Sequence, residues 1–288
     1  MLLDKNTRIC IVGLGLLGGS YASALTRQGY RVTAITRRQS SIDYAVERGM
    51  IEKGSASVDE ELLRDADLIV FSLYPHVFLD WIREHGAKLR PGSIITDVTG
   101  VKGCVVRQIQ EMLPAGVEFI AAHPMAGRES SGIEYSDDRI FRGANYIVVP
   151  TEANTERGIA MCKALGETLG CKDISVLDVE SHDRMIAFLS QLTHCIAVSL
   201  MCACDEPDLE RYTGDSFRDL TRIANINDEM WSELFLANRD ALLREMDDYR
   251  ACFEELYDCI KTGNRDRMRE MMRLSTERRK RFNKRSDV

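Results

Sequence analysis

A lone histidine, His123, follows the apolar run Val117, Phe119, Ile120, Ala121, Ala122 and precedes Pro124-Met125-Ala126-Gly127-Arg128-Glu129. A strand that stops in a proline and a glycine carries that imidazole to a fixed point beyond a sheet edge. An imidazole titrates near neutrality and can take a proton from a substrate hydroxyl. On these residues alone His123 reads equally as a general base and as a turn histidine bonded to backbone. Farther along, Arg222 stands among Thr221, Ile223 and Ala224. A partly desolvated guanidinium there needs an anion, either a substrate carboxylate or an internal aspartate. His194 lies on a helix that is apolar nearly all round, far enough along it to face a cleft, though a histidine on such a face is more often a hydrogen-bonded core residue. Asp183 is about three turns away on the same helix, too far for contact with His194. Asp97 and Lys102 bracket a turn at a strand end, where they could hold a substrate but are expected to pair with each other.

A second chemistry is written near the start of the chain. Arg8 to Val12 is a short β-branched run, followed by Gly13, Leu14, Gly15, Leu16, Leu17, Gly18 and then a helix-forming stretch to Gln28. GxGxxG between strand and helix gives a tight turn, a close approach of backbone to a pyrophosphate, and a helix N-terminus aimed at the phosphates. Gly13, Gly15, Leu16, Leu17 and Gly18 are therefore expected at a dinucleotide, the alternative being a structural glycine turn. The next strand, Arg31 to Ile35, ends in Thr36, Arg37 and Arg38 where an acidic residue would select NAD. Two guanidinium forks suit a 2′-phosphate, which favours NADP with NAD still possible; a solvated basic turn is the other reading. Leu73, Tyr74 and Pro75, at the end of the run Leu68 to Leu73, either line the nicotinamide crevice or form a plain turn. His76 and His85 read as structural or surface residues. Among the His, Cys, Asp and Glu no metal-ligand spacing is seen.

The elements that must position these groups follow from hydrophobic periodicity. Strands at Arg8–Val12, Arg31–Ile35, Leu68–Leu73, Ser93–Asp97, the run before His123, Ala144–Val149 and Asp173–Val176 alternate with helical patterns. This is the signature of an α/β, Rossmann-type, doubly wound parallel sheet, here expected over residues 1–178. From Val179 the pattern turns all-helical, expected as a substrate and dimerisation domain over 179–288, with helices that commonly pair two copies into a homodimer. The 288 residues carry a net charge of -7, which argues against a nucleic-acid partner, and the basic run Arg278 to Arg285 reads as a solvated tail. Nine cysteines without a CxxC pair suggest reduced thiols and the cytoplasm. No apolar run is expected to cross a membrane.

With these residues in view, the chain resembles the prephenate/arogenate dehydrogenase family of tyrosine biosynthesis from end to end. The resemblance rests on GLGLLGGS, DVTGVKG, HPMAGRESSGIEYS, HDRMIAFLSQLTH and SFRDLTRIANINDEMW. It implies oxidation of a cyclohexadienol by hydride transfer to nicotinamide, with loss of the ring carboxylate as carbon dioxide and aromatisation as the driving force. His123 matches the histidine that takes the hydroxyl proton, Arg222 the arginine that binds a substrate carboxylate, His194 a second substrate-contacting histidine, and Trp231 an aromatic near the pocket. Glu129 matches an acidic residue close to the catalytic histidine, and Asp219 is expected to orient one of these groups. Two departures stand out. Gly100 occupies the place of a serine beside the substrate hydroxyl, leaving Thr99 or a water to replace that contact. Arg128 replaces a small polar residue, where it either adds a second anion contact to a dicarboxylate or pairs with Glu129. No regulatory domain is expected, so any control by tyrosine would act at the active site. The ring chemistry does not distinguish a keto-acid side chain (prephenate) from an amino-acid one (arogenate). The alternatives are another NADP-dependent dehydrogenase of the β-hydroxyacid type, for which no helical lysine is a persuasive candidate, and a non-catalytic NADP-binding sensor.

Overall fold

A computed structural model describes residues 3–128 and 130–282. Eight strands, β1 (Arg8–Val12), β2 (Arg31–Ile35), β3 (Lys53–Ser55), β4 (Leu68–Phe71), β5 (Ile94–Asp97), β6 (Glu118–Pro124), β7 (Asn145–Val149) and β8 (Asp173–Val176), form one sheet in the order β3-β2-β1-β4-β5-β6-β7-β8. All neighbours run parallel except β6 and β7, which pair antiparallel with His123 opposite Ile147. The carboxyl ends of β1, β2, β4, β5 and β6 therefore open on one edge of the sheet, the edge where open α/β sheets bind ligands.

Strand alternation divides the apolar side chains between the two faces. Ile9 and Ile11, Leu68 and Val70, and Ile120 and Ala122 join one buried cluster; Cys10 and Val12, Ile69 and Phe71, and Phe119 and Ala121 join the other. On the first face lie α1 (Leu16–Arg27), which contributes Tyr21, Ala22 and Leu25, and α2 (Gln39–Glu47), which contributes Ile42 and Ala45. On the second lie α3 (Glu60–Asp65), α4 (Pro75–His85) and α5 (Val106–Met112), with Leu62, Phe78, Ile82 and Ile109. Helix α6 (Glu156–Thr168) returns to the first face with Met161 and Leu165. The edge strand β3 has no counterpart in the periodicity, because Lys53-Gly54-Ser55 offers no β-branched alternation. Gly54 allows the close approach instead, since a Cβ there would lie 2.7 Å from Ile42 Cδ1 and 2.9 Å from the Ala34 carbonyl oxygen.

After β8 the chain is helical: α7 (Val179–Ile186), a π-helical segment Ala187–Leu192, α8 (Thr193–Cys202), α9 (Asp215–Thr221), α10 (Asp228–Ala237), α11 (Arg239–Thr262) and α12 (Arg265–Arg279). The run Val179–Cys202, 24 residues of mean hydropathy 1.7 over its most apolar window, is long and apolar enough to cross a membrane by composition, contrary to the sequence expectation. Ser190, Gln191, Thr193 and His194 interrupt the run to the eye but do not lower its average enough. The change from strands to helices falls at 178, whereas the compact units divide after Arg239, so α7 to α10 pack in the same unit as the sheet. In the second unit, α11 and α12 are joined through Gly263 at φ +69° and Asn264, whose Oδ1 accepts from the Arg267 N–H. Arg267 ties the two helices by pairing with Glu255 (2.7 Å).

Candidate active site

The glycine loop is built by close contacts. Gly13 has φ +98°, and a Cβ there would sit 2.4 Å from the Ser72 carbonyl oxygen. A Cβ on Gly18 would lie 1.9 Å from the Gly13 carbonyl oxygen, so the first turn of α1 rests directly on the loop. Gly15, the N-cap of α1, differs: a Cβ there would meet nothing within 4 Å. It opens the first turn of α1, whose N–H groups at Leu16 and Leu17 have no intrahelical acceptor, which fits the pyrophosphate of a dinucleotide. Leu73 lies against the same loop, 2.8 Å from where a Gly13 Cβ would be, and Pro75 is the buried first residue of α4. At the end of β2, Thr36 donates its N–H to the Ser55 carbonyl (3.0 Å). Arg37 and Arg38 are exposed, with no carboxylate paired to either among the described residues.

At the end of β6, His123 is half-buried, and its surroundings form a connected polar network. His123 Nδ1 is 3.1 Å from His182 Nε2, and His182 Nδ1 is 2.7 Å from Asp183 Oδ1. The Asp183 carboxylate also accepts the backbone N–H groups of Lys102 (2.8 Å) and Gly103 (2.7 Å). Behind this, Lys102 Nζ donates to Asp97 Oδ2 (2.7 Å) and to the Ala122 carbonyl (2.6 Å), with both members of the ion pair fully buried. Burial, then the His182 imidazole and the Lys102 ammonium, hold the His123 imidazole well below its ordinary pKa. His182 is lowered too, by burial above all, with Asp183 opposing. Both rings are thus neutral at neutral pH. Thr99, expected as a stand-in for the missing serine, is buried instead in this network. Its N–H and hydroxyl donate to Asp97 and its Oγ1 also bonds the Val101 carbonyl, because a buried carboxylate draws in every donor its loop offers. At Gly100 a Cβ would lie 4.0 Å from His123 Cε1 and 3.7 Å from Leu234 Cδ1, ordinary contacts that place α10 beside the base.

The helical residues assemble around that contact. Trp231, one turn before Leu234 on α10, stacks on His194 with ring centroids 3.7 Å apart, and His194 Nδ1 is 2.8 Å from the Ser190 carbonyl in the π-helical segment. Gln191 donates to the Leu234 carbonyl (2.8 Å), and Asn238 donates to the Asp183 carbonyl (2.9 Å) and to Gln191 Oε1 (2.7 Å). The turn Arg222–Ala224 packs against α8, but Arg222 is exposed, not desolvated as its apolar neighbours suggest, and Asp219 is exposed as well. Arg128 pairs with Asp137 (2.8 Å), which also holds Arg139 (2.9 Å). Glu129 lies outside the described residues. His76, at the start of α4, donates its N–H to Glu233 Oε1 (2.9 Å). Sequence reasoning weighed Asp183 only against His194, noted His182 only as a polar exception on an apolar helix, and passed over Asn238. The legible signal was the adjacent polar pair at the start of an otherwise apolar helix.

A glycine loop under a helix N-terminus and a neutral imidazole at the same sheet edge, roofed by helices, define a nicotinamide-dependent dehydrogenase of the Rossmann type. Residues 21–175 match the prephenate dehydrogenase nucleotide-binding domain and residues 178–274 the prephenate dehydrogenase dimerization domain. The chain belongs to the prephenate dehydrogenase family. Prephenate dehydrogenase from A. aeolicus, solved with hydroxyphenyl propionate and NAD+, is 27% identical and superposes with a TM-score of 0.87 over 98% of this chain and 99% of that one. Synechocystis arogenate dehydrogenase is 28% identical, with a TM-score of 0.83 over 96% and 100% of the two chains. The cyclohexadienyl dehydrogenase of Zymomonas mobilis is 27% identical over 94% of each chain.

Proposed function

We propose that the chain catalyses the oxidative decarboxylation of prephenate or arogenate, with His123 as the base. The observation that carries this reading is the half-buried, neutral imidazole at the end of β6, on the sheet edge that also carries the glycine loop. His123 takes the proton of the ring hydroxyl as the carbon bearing it gives up hydride, and returns it to the oxygen once the ring carboxylate has left as carbon dioxide and the ring is aromatic. When bound, the nicotinamide is the hydride acceptor. Gly15, Leu16 and Leu17 hold the pyrophosphate with backbone N–H groups, and Arg222, with His194 stacked on Trp231, holds the substrate carboxylate and side chain. Leu234 and the neighbouring helix exclude water from the face of the base. Arg37 and Arg38, exposed and with no carboxylate partner among the described residues, favour NADP over NAD. Neither a β-hydroxyacid dehydrogenase nor a non-catalytic sensor is favoured by the relatives.

The protein is further proposed to work as a homodimer. Phe188, Leu189 and Met201 on the 179–202 run, and Phe253, Tyr257 and Ile260 on α11, are exposed in the single chain and lie within the segment matching a dimerization domain.

The test is steady-state turnover of pure protein with each substrate and each cofactor. NADPH or NADH formation with at least one pair is expected, and His123→Ala should lower turnover on the order of 10²-fold or more. Absence of signal with all four combinations would refute the assignment.

A further inference from the structure

We propose that His182 and Asp183 are positioning residues that fix the tautomer of His123, leaving Nε2 as the nitrogen that receives the proton. The inference deepens the reading of His123 as the base and rests on it for its consequence in turnover.

The assignment follows from donors and acceptors. Asp183 sits in a built anion site: Oδ1 accepts the Lys102 N–H, and Oδ2 the Gly103 N–H. A carboxylate so held is an acceptor, so His182 Nδ1, 2.7 Å from Oδ1, carries a hydrogen. A neutral His182 then has its lone pair on Nε2, which faces His123 Nδ1 at 3.1 Å. Of two imidazole nitrogens in contact one must donate, so His123 carries its hydrogen on Nδ1 and its lone pair on Nε2. A histidine left to itself does not keep this tautomer reliably; a second group must impose it. When Nε2 takes a proton, the Nδ1–H bond to His182 becomes charge-assisted and strengthens, with the Asp183 carboxylate facing the far side of His182.

The rest of the network keeps the relay in place. Asn238 donates to the Asp183 carbonyl, and a Cβ at Gly103 would lie 2.9 Å from Asp183 Oδ2, so only glycine lets the carboxylate reach both N–H groups. The charged and titratable groups facing the two rings are Asp183 on the helix of His182, and Lys102 and Asp97 from β5 and the turn after it.

Two replacements separate the halves of the relay. Gln at 182 places an amide oxygen where Nε2 stood and can still accept from His123; Asn reaches only as far as Nδ1, keeping the contact with Asp183 and leaving His123 without an acceptor. Nitrogen-15 NMR of histidine-labelled protein reads the tautomer directly. The wild type should show His123 protonated on Nδ1 in the free enzyme, a result that needs no variant to fold. His182→Asn should give a mixed or Nε2-protonated ring and a kcat lower on the order of 10²-fold, with KM and cofactor Kd within about twofold. His182→Gln should recover the Nδ1–H form and most of the lost kcat. An Nε2-protonated His123 in the wild type, or Asn and Gln variants equally active, would overturn the relay. Failure of the wild type to turn over either substrate would instead refute the base assignment, and the spectrum would still decide the tautomer.

Discussion

His123 and His182 make proton uptake a measure of the native state. Both sit below the ordinary histidine value of 6.5, chiefly through burial. The unfolded chain therefore binds protons that the folded one refuses, and the stabilisation present when both rings are neutral is lost as pH falls from about 6.5 towards the folded values. Unfolding free energy from urea titrations should decline between about pH 7 and pH 5, and His123→Phe should flatten that decline. An unchanged slope would show that the ring titrates normally. At the end of β2, replacing Arg37 and Arg38 by alanine should weaken NADP by tenfold or more, about 1.4 kcal/mol, with little effect on NAD. Fluorescence titration with both cofactors decides it, and equal losses would remove the argument for a 2′-phosphate. Arg222→Lys keeps the charge but loses the two-pronged geometry, so KM for substrate should rise while kcat changes little.

Elements differed in how openly the sequence declared them. The parallel strands were legible because β1, β4 and β6 are unbroken apolar runs buried on both faces, and the glycine loop because only glycine fits at Gly13 and Gly18. Edge strand β3 was not, since a half-exposed three-residue strand carries no periodicity. The π-helical segment Ala187–Leu192 was invisible too: its apolar spacing resembles that of an α-helix, and the hydrogen-bond pattern is decided by tertiary contacts such as Gln191 to Leu234. His123 could be located by its strand, but its partner could not, since His182 reaches it only through the packing of α7 against the turn after β5. The loop offers an element-scale test. Gly18→Ala drives a Cβ into the Gly13 carbonyl and should lower both melting temperature and cofactor affinity, whereas Gly15→Ala, which faces open space, should lower affinity alone. Thermal melts read beside cofactor titrations separate the two; equal melts would place the Gly18 contact elsewhere.

At the scale of the molecule, the exposed apolar side chains of the 179–202 run and of α11 await a cover. Phe188→Asp and Phe253→Asp should each shift sedimentation from dimer towards monomer at micromolar concentration, and a wild type that sediments as a monomer would exclude the homodimer. The sheet closes with β8 at Val176, and His182 follows within two turns of helix. Protein synthesis runs from the N-terminus and early segments fold first, so the ribosome releases the nucleotide-binding edge and His123 before the residues that orient it. Because α7 to α10 belong to the same compact unit as the sheet, that unit is complete only once synthesis has passed Arg239, so the strands made first wait on helices made last.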